Sequence, residues 1–205
     1  MPPSKADPDR FVTGLVLGAG ASRRLGRPKQ LLAFGTGTML GHVVGVARDC
    51  RFEQTIVAIG GSADEVRARV ELDGTDVVVN EAFGSGCSSS IAAALGVVDP
   101  RCQCLVLMLG DQPGVSADTV ATLLAGRGDA PMAVCRYGDG VGHPFAFARE
   151  AFEGLAGLHG DKGVWRLLDE RRAGDVAEVP IEGPIPRDVD TAADYEAVLH
   201  ELTAV

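Results

Sequence analysis

Five short apolar runs with helix-length stretches between them constrain the fold more than any other feature of this chain. They cover residues 11–17, 54–59, 76–79, 104–109 and 131–135. Runs rich in Val, Leu and Ile with few polar interruptions are strands buried on both faces, as happens when helices cover both sides of a sheet. The intervening stretches carry helical spacing. Residues 39–48 form one, and residues 62–70 open with a capping box, Ser62 and Glu65. Residues 88–98 place Ile91, Leu95 and Val98 on one face, and residues 116–124 bury Val120, Leu123 and Leu124. The alternation predicts an α/β fold: a mostly parallel sheet flanked by helices on both faces. After about residue 135 the pattern changes. Tyr137-Gly138-Asp139-Gly140-Val141-Gly142 is turn-rich and leads into Pro144-Phe145-Ala146-Phe147, which predicts a hairpin with an antiparallel strand in the later half. Helices are expected at 149–155 and 163–171 and a strand at 176–181. A last helix is expected from Thr191, capped by Asp194, with Tyr195, Val198, Leu199 and Leu202 as its apolar stripe.

The first run ends in Leu17-Gly18-Ala19-Gly20-Ala21-Ser22-Arg23-Arg24-Leu25-Gly26-Arg27-Pro28-Lys29. Glycines permit a tight turn and let backbone N–H groups approach a ligand closely. Bare amides beside converging cations suit a polyphosphate. The spacing excludes a Walker A loop, because five residues separate Gly20 from Gly26 and no Gly-Lys-Ser/Thr follows. It also excludes the dinucleotide fingerprint, whose third glycine is replaced by Arg23. Lys29 offers a compact charge and Arg24 a planar fork, whereas Arg23 and Arg27 read as solvated surface charges.

Other residues in the sequence carry chemistry. Asp111 follows the run at 104–109, and a carboxylate at the C-terminal end of a parallel strand sits where open α/β sheets bind ligands. A turn aspartate ahead of Pro113 is the plain alternative. Asp190 precedes Thr191 and is also explained as a helix-start acid. Asp188 is its nearby competitor, read as facing the opposite side of the segment. Gly84-Ser85-Gly86-Cys87-Ser88-Ser89-Ser90 precedes a helix, where amides and hydroxyls can read a base or hold an anion. His143 is either a loop histidine or a substrate contact, and Asp161-Lys162 either a helix-start pair or cleft residues.

The net charge of -9 argues against nucleic acid and anionic membranes as partners and sets off the basic loop as a site for a specific anion. The five cysteines are odd in number and lack CxxC spacing, so neither a disulfide framework nor a zinc site is expected, and a reduced, cytoplasmic setting fits. No stretch reaches the apolar length of a membrane span. Residues 1–10 contain three prolines and read as a flexible tail. The remainder, 11–205, reads as a single domain.

The motif Leu17-Gly18-Ala19-Gly20-x-Ser22-x-Arg24-x-Gly26-x-Pro28-Lys29 resembles the signature of nucleotidyltransferases with a Rossmann-like, glycosyltransferase-A type fold. Further segments narrow the resemblance to the molybdenum-cofactor nucleotidyltransferases of the MobA/MocA type. These are Asn80 with residues 84–90, Gly110-Asp111-Gln112-Pro113, Gly142-His143-Pro144, Gly160-Asp161-Lys162-Gly163 and Asp188-Val189-Asp190-Thr191. The resemblance implies transfer of CMP, or GMP, from CTP or GTP to the phosphate of molybdopterin or its molybdenum-loaded form, with release of pyrophosphate. It implies nucleotide contacts from Leu17, Gly18, Ala19, Gly20, Arg24, Lys29, Gly86, Ser88 and Ser89, with Lys29, Asp111 and Arg24 catalytic. Asp111 and Asp190 would bind Mg²⁺, whose preference is for hard oxygen ligands shared with phosphates. Gln112, His143, Asp161 and Lys162 would line the acceptor side. Residues 11–115 would then serve mainly the nucleotide and 116–205 mainly the acceptor, with a recipient molybdoenzyme as a further partner. The Gly-x-Ser-Ser form favours CTP, whereas Gly18 stands where the family usually has alanine.

Two other functions fit parts of the same sequence. Pro28-Lys29-Gln30 echoes alditol-phosphate cytidylyltransferases, so an alditol, sugar or phospho-acid acceptor is an alternative, against which Gly110-Asp111-Gln112-Pro113 argues. A non-catalytic cofactor carrier for molybdoenzyme maturation is the other.

Overall fold

The computed structural model describes residues 11–20, 22, 24–170 and 174–203, with Leu202 and Thr203 described as backbone only. The expected tail at 1–10, Arg23, the end of the helix expected to reach Arg171 and the side chain of Leu202 lie outside the described residues. In chain order the elements begin with β1 (Val12–Gly18), a 3₁₀ turn (Lys29–Leu31), a small hairpin of β2 (Ala33–Phe34) and β3 (Gly37–Thr38), and α1 (Met39–Asp49). There follow β4 (Gln54–Ile59), α2 (Ala63–Arg69), β5 (Asp76–Val79), α3 (Cys87–Leu95), β6 (Cys104–Leu109) and α4 (Ala117–Arg127). The later half holds β7 (Met132–Tyr137), β8 (Gly140–Ala148), α5 (Phe152–Ala156), α6 (Gly163–Asp169), β9 (Val176–Pro180) and α7 (Ala192–Thr203).

Seven strands form one sheet in the order β5-β4-β1-β6-β8-β7-β9. β5, β4, β1 and β6 run parallel, β8 is antiparallel to both β6 and β7, and β9 is parallel to β7. The alternation along β6 explains why the run is apolar throughout. Cys104, Val106 and Met108 enter one core layer with Val43 and Val44 of α1, Val66 of α2 and Leu123 of α4. Leu105 and Leu107 enter the other, with Ile91 of α3, Leu155 of α5 and Leu167 of α6. Helices therefore cover both faces, as the sequence predicts. A third cluster joins Leu32, Phe34 and Met39 to Val189 and Val198 of α7, and Tyr195 Oη donates to Ala33 O at 2.6 Å.

The chain passes from β1 outward to β4 and β5 and returns on the other side of β1 as β6. Strand order thus reverses beside β1, and a crevice opens beyond the C-terminal ends of β1 and β6. The glycine loop leaves β1 there, and Asp111 leaves β6 there.

The two helix caps read from sequence differ in outcome. Thr191 and Asp194 cap α7 reciprocally: Thr191 N donates to Asp194 Oδ2 at 2.8 Å and Asp194 N to Thr191 Oγ1 at 3.2 Å. The expected box of Ser62 and Glu65 does not form. Ser62 lies at φ -115°, ψ 31° and makes no side-chain cap bond, because its backbone is not extended as a hydroxyl cap requires. Ser116 is extended and accepts from Thr119 N at 3.1 Å. Ser116→Ala should therefore cost about 1 kcal/mol of stability, and Ser62→Ala should stay within about 0.5 kcal/mol. Urea unfolding of the two variants measures the contrast.

Candidate active site

The crevice is a cleft of about 740 Å³ lined from both halves of the chain. Its first wall is the loop after β1, and Gln30 holds that loop in shape. The Gln30 side chain is buried and its Nε2 donates to Gly18 O and Gly20 O, both at 2.8 Å. Ser22 Oγ accepts from Lys29 N at 2.9 Å and donates to Gln30 Oε1 at 3.4 Å. Two loop carbonyls that would repel a phosphate are thereby occupied. Sequence reasoning used Gln30 only as part of a tripeptide, and its position one residue after Lys29 was the available signal. Gly18 has a packing explanation. A Cβ on it would meet Leu40 Cδ2 of α1 at 3.0 Å, so the bare glycine lets Leu40 pack closely against the start of the loop.

Lys29 joins the three charged segments. Its Nζ donates to Asp111 Oδ2 in a short contact and to Asp190 Oδ1 at 2.8 Å, while Arg24 reaches Asp190 Oδ2 at 2.8 Å. Burial works against the Lys29 ammonium, but Asp111 and Asp190 outweigh it, and its pKa lies above the ordinary lysine value. The hydrogen bond from Lys29 holds the Asp190 carboxyl below the usual range against partial burial, aided by the charges of Lys29 and Arg24. The Arg24 side chain is 70% exposed, so its pairing is a screened surface contact that a ligand can replace.

Asp188 corrects the sequence reading. It lines the cleft together with Asp190. Residues two apart in an extended segment share a face, and it is Val189 that turns the other way, fully buried, with its N–H donating to Asp111 O at 3.0 Å. Burial and then the charges of Asp111 and Asp190 push the Asp188 carboxyl up to about 6. Gln112 is buried beside it, and its Nε2 donates to Pro186 O at 3.2 Å, tying this acidic segment to the end of β6.

Gly86 lines the opposite wall, at φ 106°, where a Cβ would lie 2.7 Å from Gly160 C. Ser88 and Ser89 do not line the cleft, contrary to the expectation of base contacts. Ser88 is buried and its Oγ donates to Gly160 O at 2.6 Å. Ser89 Oγ donates to Gly86 O at 2.7 Å and accepts from Asn80 Nδ2 at 2.8 Å. These hydroxyls join α3 to its neighbours. Asp161 lines the cleft and accepts from Cys87 N at 3.0 Å, capping α3 from a distant segment. Lys162 is exposed at the start of α6 and lies outside the lining, a second correction.

His143 enters the cleft through a β-bulge. Cys135 pairs with Gly142 and Val134 with Phe145, so His143 and Pro144 are extra residues in β8. Bulges re-aim side chains in this way. The ring stacks on Phe145 with centroids 4.0 Å apart, and Trp165 stands edge-on to it at 6.1 Å. The imidazole borders solvent on the cleft side, yet the enclosing side chains hold its pKa down to about 3. Trp165, absent from the sequence-based site, also lines the cleft. Its spacing in the Gly163–Asp169 helix reads as an ordinary helical position, so only the fold reveals it.

A sheet of this order with a charged cleft at the strand reversal is a ligand-binding α/β architecture. Residues 14–176 match the MobA-like NTP transferase domain, and the chain belongs to that family of nucleotidyltransferases. The crystal structure of the Rv0371c homolog from Mycobacterium sp. strain JC1 is 51% identical, with a TM-score of 0.88 over 95% of this chain and 98% of that one. The manganese complex of Rv0371C from Mycobacterium tuberculosis H37Rv is 46% identical, with a TM-score of 0.83 over 93% and 98%. Among curated proteins, nicotine blue oxidoreductase of Paenarthrobacter nicotinovorans is 36% identical over 114 residues, 55% of each chain. The bifunctional protein GlmU of Azotobacter vinelandii is 34% identical over 121 residues, 58% of this chain and 26% of its own. The chain thus spans about half or less of the length of these curated relatives. No helix among the described residues is long and apolar enough to cross a membrane.

His143 generates a pH prediction. Its folded pKa of about 3 lies below the ordinary 6.5, so between these values the unfolded chain binds more protons. Its contribution to stability is complete above about pH 6.5 and is lost as the pH falls toward the folded value. His143→Gln should flatten this part of the acid limb. Urea unfolding of both proteins at pH 7 and pH 5 measures the difference.

Proposed function

We propose that the chain is a Mg²⁺-dependent nucleotidyltransferase that moves CMP, or GMP, from CTP or GTP to the phosphate of molybdopterin or its molybdenum-loaded form, releasing pyrophosphate. The observation that carries the reading is the meeting of Arg24 and Lys29 with Asp111 and Asp190 at one end of a cleft whose other walls come from β8 and α6. The ordered motifs from Leu17 to Asp190 support the molybdopterin branch. In this reading residues 11–115 serve mainly the nucleotide and 116–205 mainly the acceptor, with Asp190 reaching back to the phosphates. The five free cysteines accord with a reducing, cytoplasmic compartment, and a molybdoenzyme would receive the product.

The donor set fits a divalent ion. Asp111 and Asp190 each turn an oxygen toward one cationic group, the Lys29 ammonium. Asp188 adds a third carboxyl to the same wall, its pKa raised first by burial and then by the charges of Asp111 and Asp190. Among the described residues no group of three His, Cys, Asp or Glu side chains is arranged as a complete metal site. That agrees with Mg²⁺, which keeps waters and phosphate oxygens among its ligands. The manganese complex of the 46% identical relative supports the same assignment. When bound, the ion would neutralise charge on the triphosphate.

Lys29 and Arg24 would hold phosphate oxygens, and the backbone of the β1 loop would orient them. The acceptor phosphate is itself the nucleophile, so the protein need supply no general base. Positioning and electrostatics would carry the rate. Because the hydroxyls of Ser88 and Ser89 are engaged elsewhere, the choice between CTP and GTP would fall to backbone atoms of Leu17, Ala19 and Gly86 along the cleft. One relative favours a second reading, an oxidoreductase, since nicotine blue oxidoreductase shares 36% identity over 55% of the chain.

Incubation with Mg²⁺, molybdopterin and either CTP or GTP should release pyrophosphate with one of the two. Asp111→Ala and Lys29→Ala should each lower that rate by at least about a hundredfold, the scale of losing one preorganised electrostatic contact. Circular dichroism of the same samples checks that the variants fold. Pyrophosphate release with an alditol or sugar phosphate, and none with molybdopterin, would move the protein to another acceptor class.

A further inference from the structure

The far wall of the cleft is an aromatic corner. Phe145 is fully buried, and His143 lies over it with ring planes only 28° apart. One face of the imidazole is therefore covered by Phe145, while His143 borders the cleft. Trp165 stands at 86° to His143 and at 89° to Phe145, with centroids 6.1 and 5.2 Å away. His143 and Trp165 thus both line the cleft, with their ring planes at a right angle. Trp165 is 38% exposed although it is the chain's only tryptophan and a large apolar side chain. A neutral imidazole and an indole offer π faces and polarisable edges, and no charge.

We propose that this corner is the platform for a planar heteroaromatic ring of the acceptor, which stacks on His143 and meets Trp165 edge to face. Trp165 is then the residue that separates flat, conjugated acceptors from alditol and sugar phosphates, which have no planar π system to pair with the imidazole and indole. The charged end of the cleft, at Lys29 and Asp111, takes phosphates, and the corner takes the planar ring at the other end of the acceptor. Trp165 here is a specificity residue, since it touches the ring and not the reacting phosphate. This inference rests on the transferase reading, and its test separates the two.

The single tryptophan gives a single indole N–H resonance. Titration of ¹⁵N-labelled protein with pterin-6-carboxylate should shift that resonance saturably, and ribitol 5-phosphate should leave it in place. In transfer assays with molybdopterin, Trp165→Leu keeps apolar bulk without a π system and should raise the acceptor KM several-fold, up to about tenfold, the scale of one edge-to-face aromatic contact. The KM for the nucleotide should not follow it. Trp165→Phe should restore most of the loss. Transfer to molybdopterin with an unchanged acceptor KM in Trp165→Leu overturns the platform and leaves the transferase standing. An indole resonance unmoved by saturating pterin-6-carboxylate overturns it as well. Absence of transfer from CTP and GTP to any phosphorylated acceptor, beside a saturable indole shift with the pterin, overturns the transferase and leaves ring recognition at the corner.

Discussion

The contact on which the cleft depends is the Lys29 ammonium held between Asp111 and Asp190. It joins residues separated by 82 and 161 positions in sequence. Each comes from a different part of the fold: the turn after β1, the end of β6 and the segment before α7. Burial opposes the charge on Lys29, and the two carboxylates more than compensate. Taking either carboxylate away would leave a partly buried cation underpaired, which costs more than the pair contributes when intact. The arrangement therefore serves geometry first. It draws the Asp188–Asp190 segment against the sheet, where the Val189 amide and the Gln112 side chain secure it to the end of β6.

The fold was legible in the sequence because its central strands are buried on both faces. Residues 54–59 and 104–109 coincide with β4 and β6, whose apolar runs fit the middle of a two-sided α/β sheet, while residues 76–79 coincide with the partly exposed edge strand β5. The hairpin of β7 and β8 was legible from its glycines. Finer polar detail was less so. Ser62 and Glu65 have the spacing of a capping box, but a cap depends on backbone angles that spacing does not specify. Likewise, Ser88 and Ser89 look like ligand hydroxyls in sequence, yet each donates to a nearby backbone carbonyl that spacing alone does not reveal.

The charged end of the site was easier to read than the aromatic end. Lys29, Arg24, Asp111 and Asp190 are polar residues beside glycines and strand ends, where polarity has few structural uses. Trp165 sits in a short amphipathic helix, where an apolar side chain signals core and nothing else. The bulge that turns His143 into the cleft left only Gly142 and Pro144 as a trace. Asp188 was misread through a parity error, because residues 188 and 190 share one side of an extended segment.

The antiparallel course of β8 has a consequence for how such a protein can diversify. In β1 and β6 the cleft lies at the strand's end, followed by conformationally demanding loops. In β8 it lies near the strand's start, just after the hairpin turn at Gly140, while Phe145 and Phe147 further along anchor the strand in the core. Lengthening or reshaping that hairpin would alter one wall of the cleft without shifting the register of the anchored part. The sheet thus separates a part of the cleft wall bound to the core register from a part that one exposed turn can reshape.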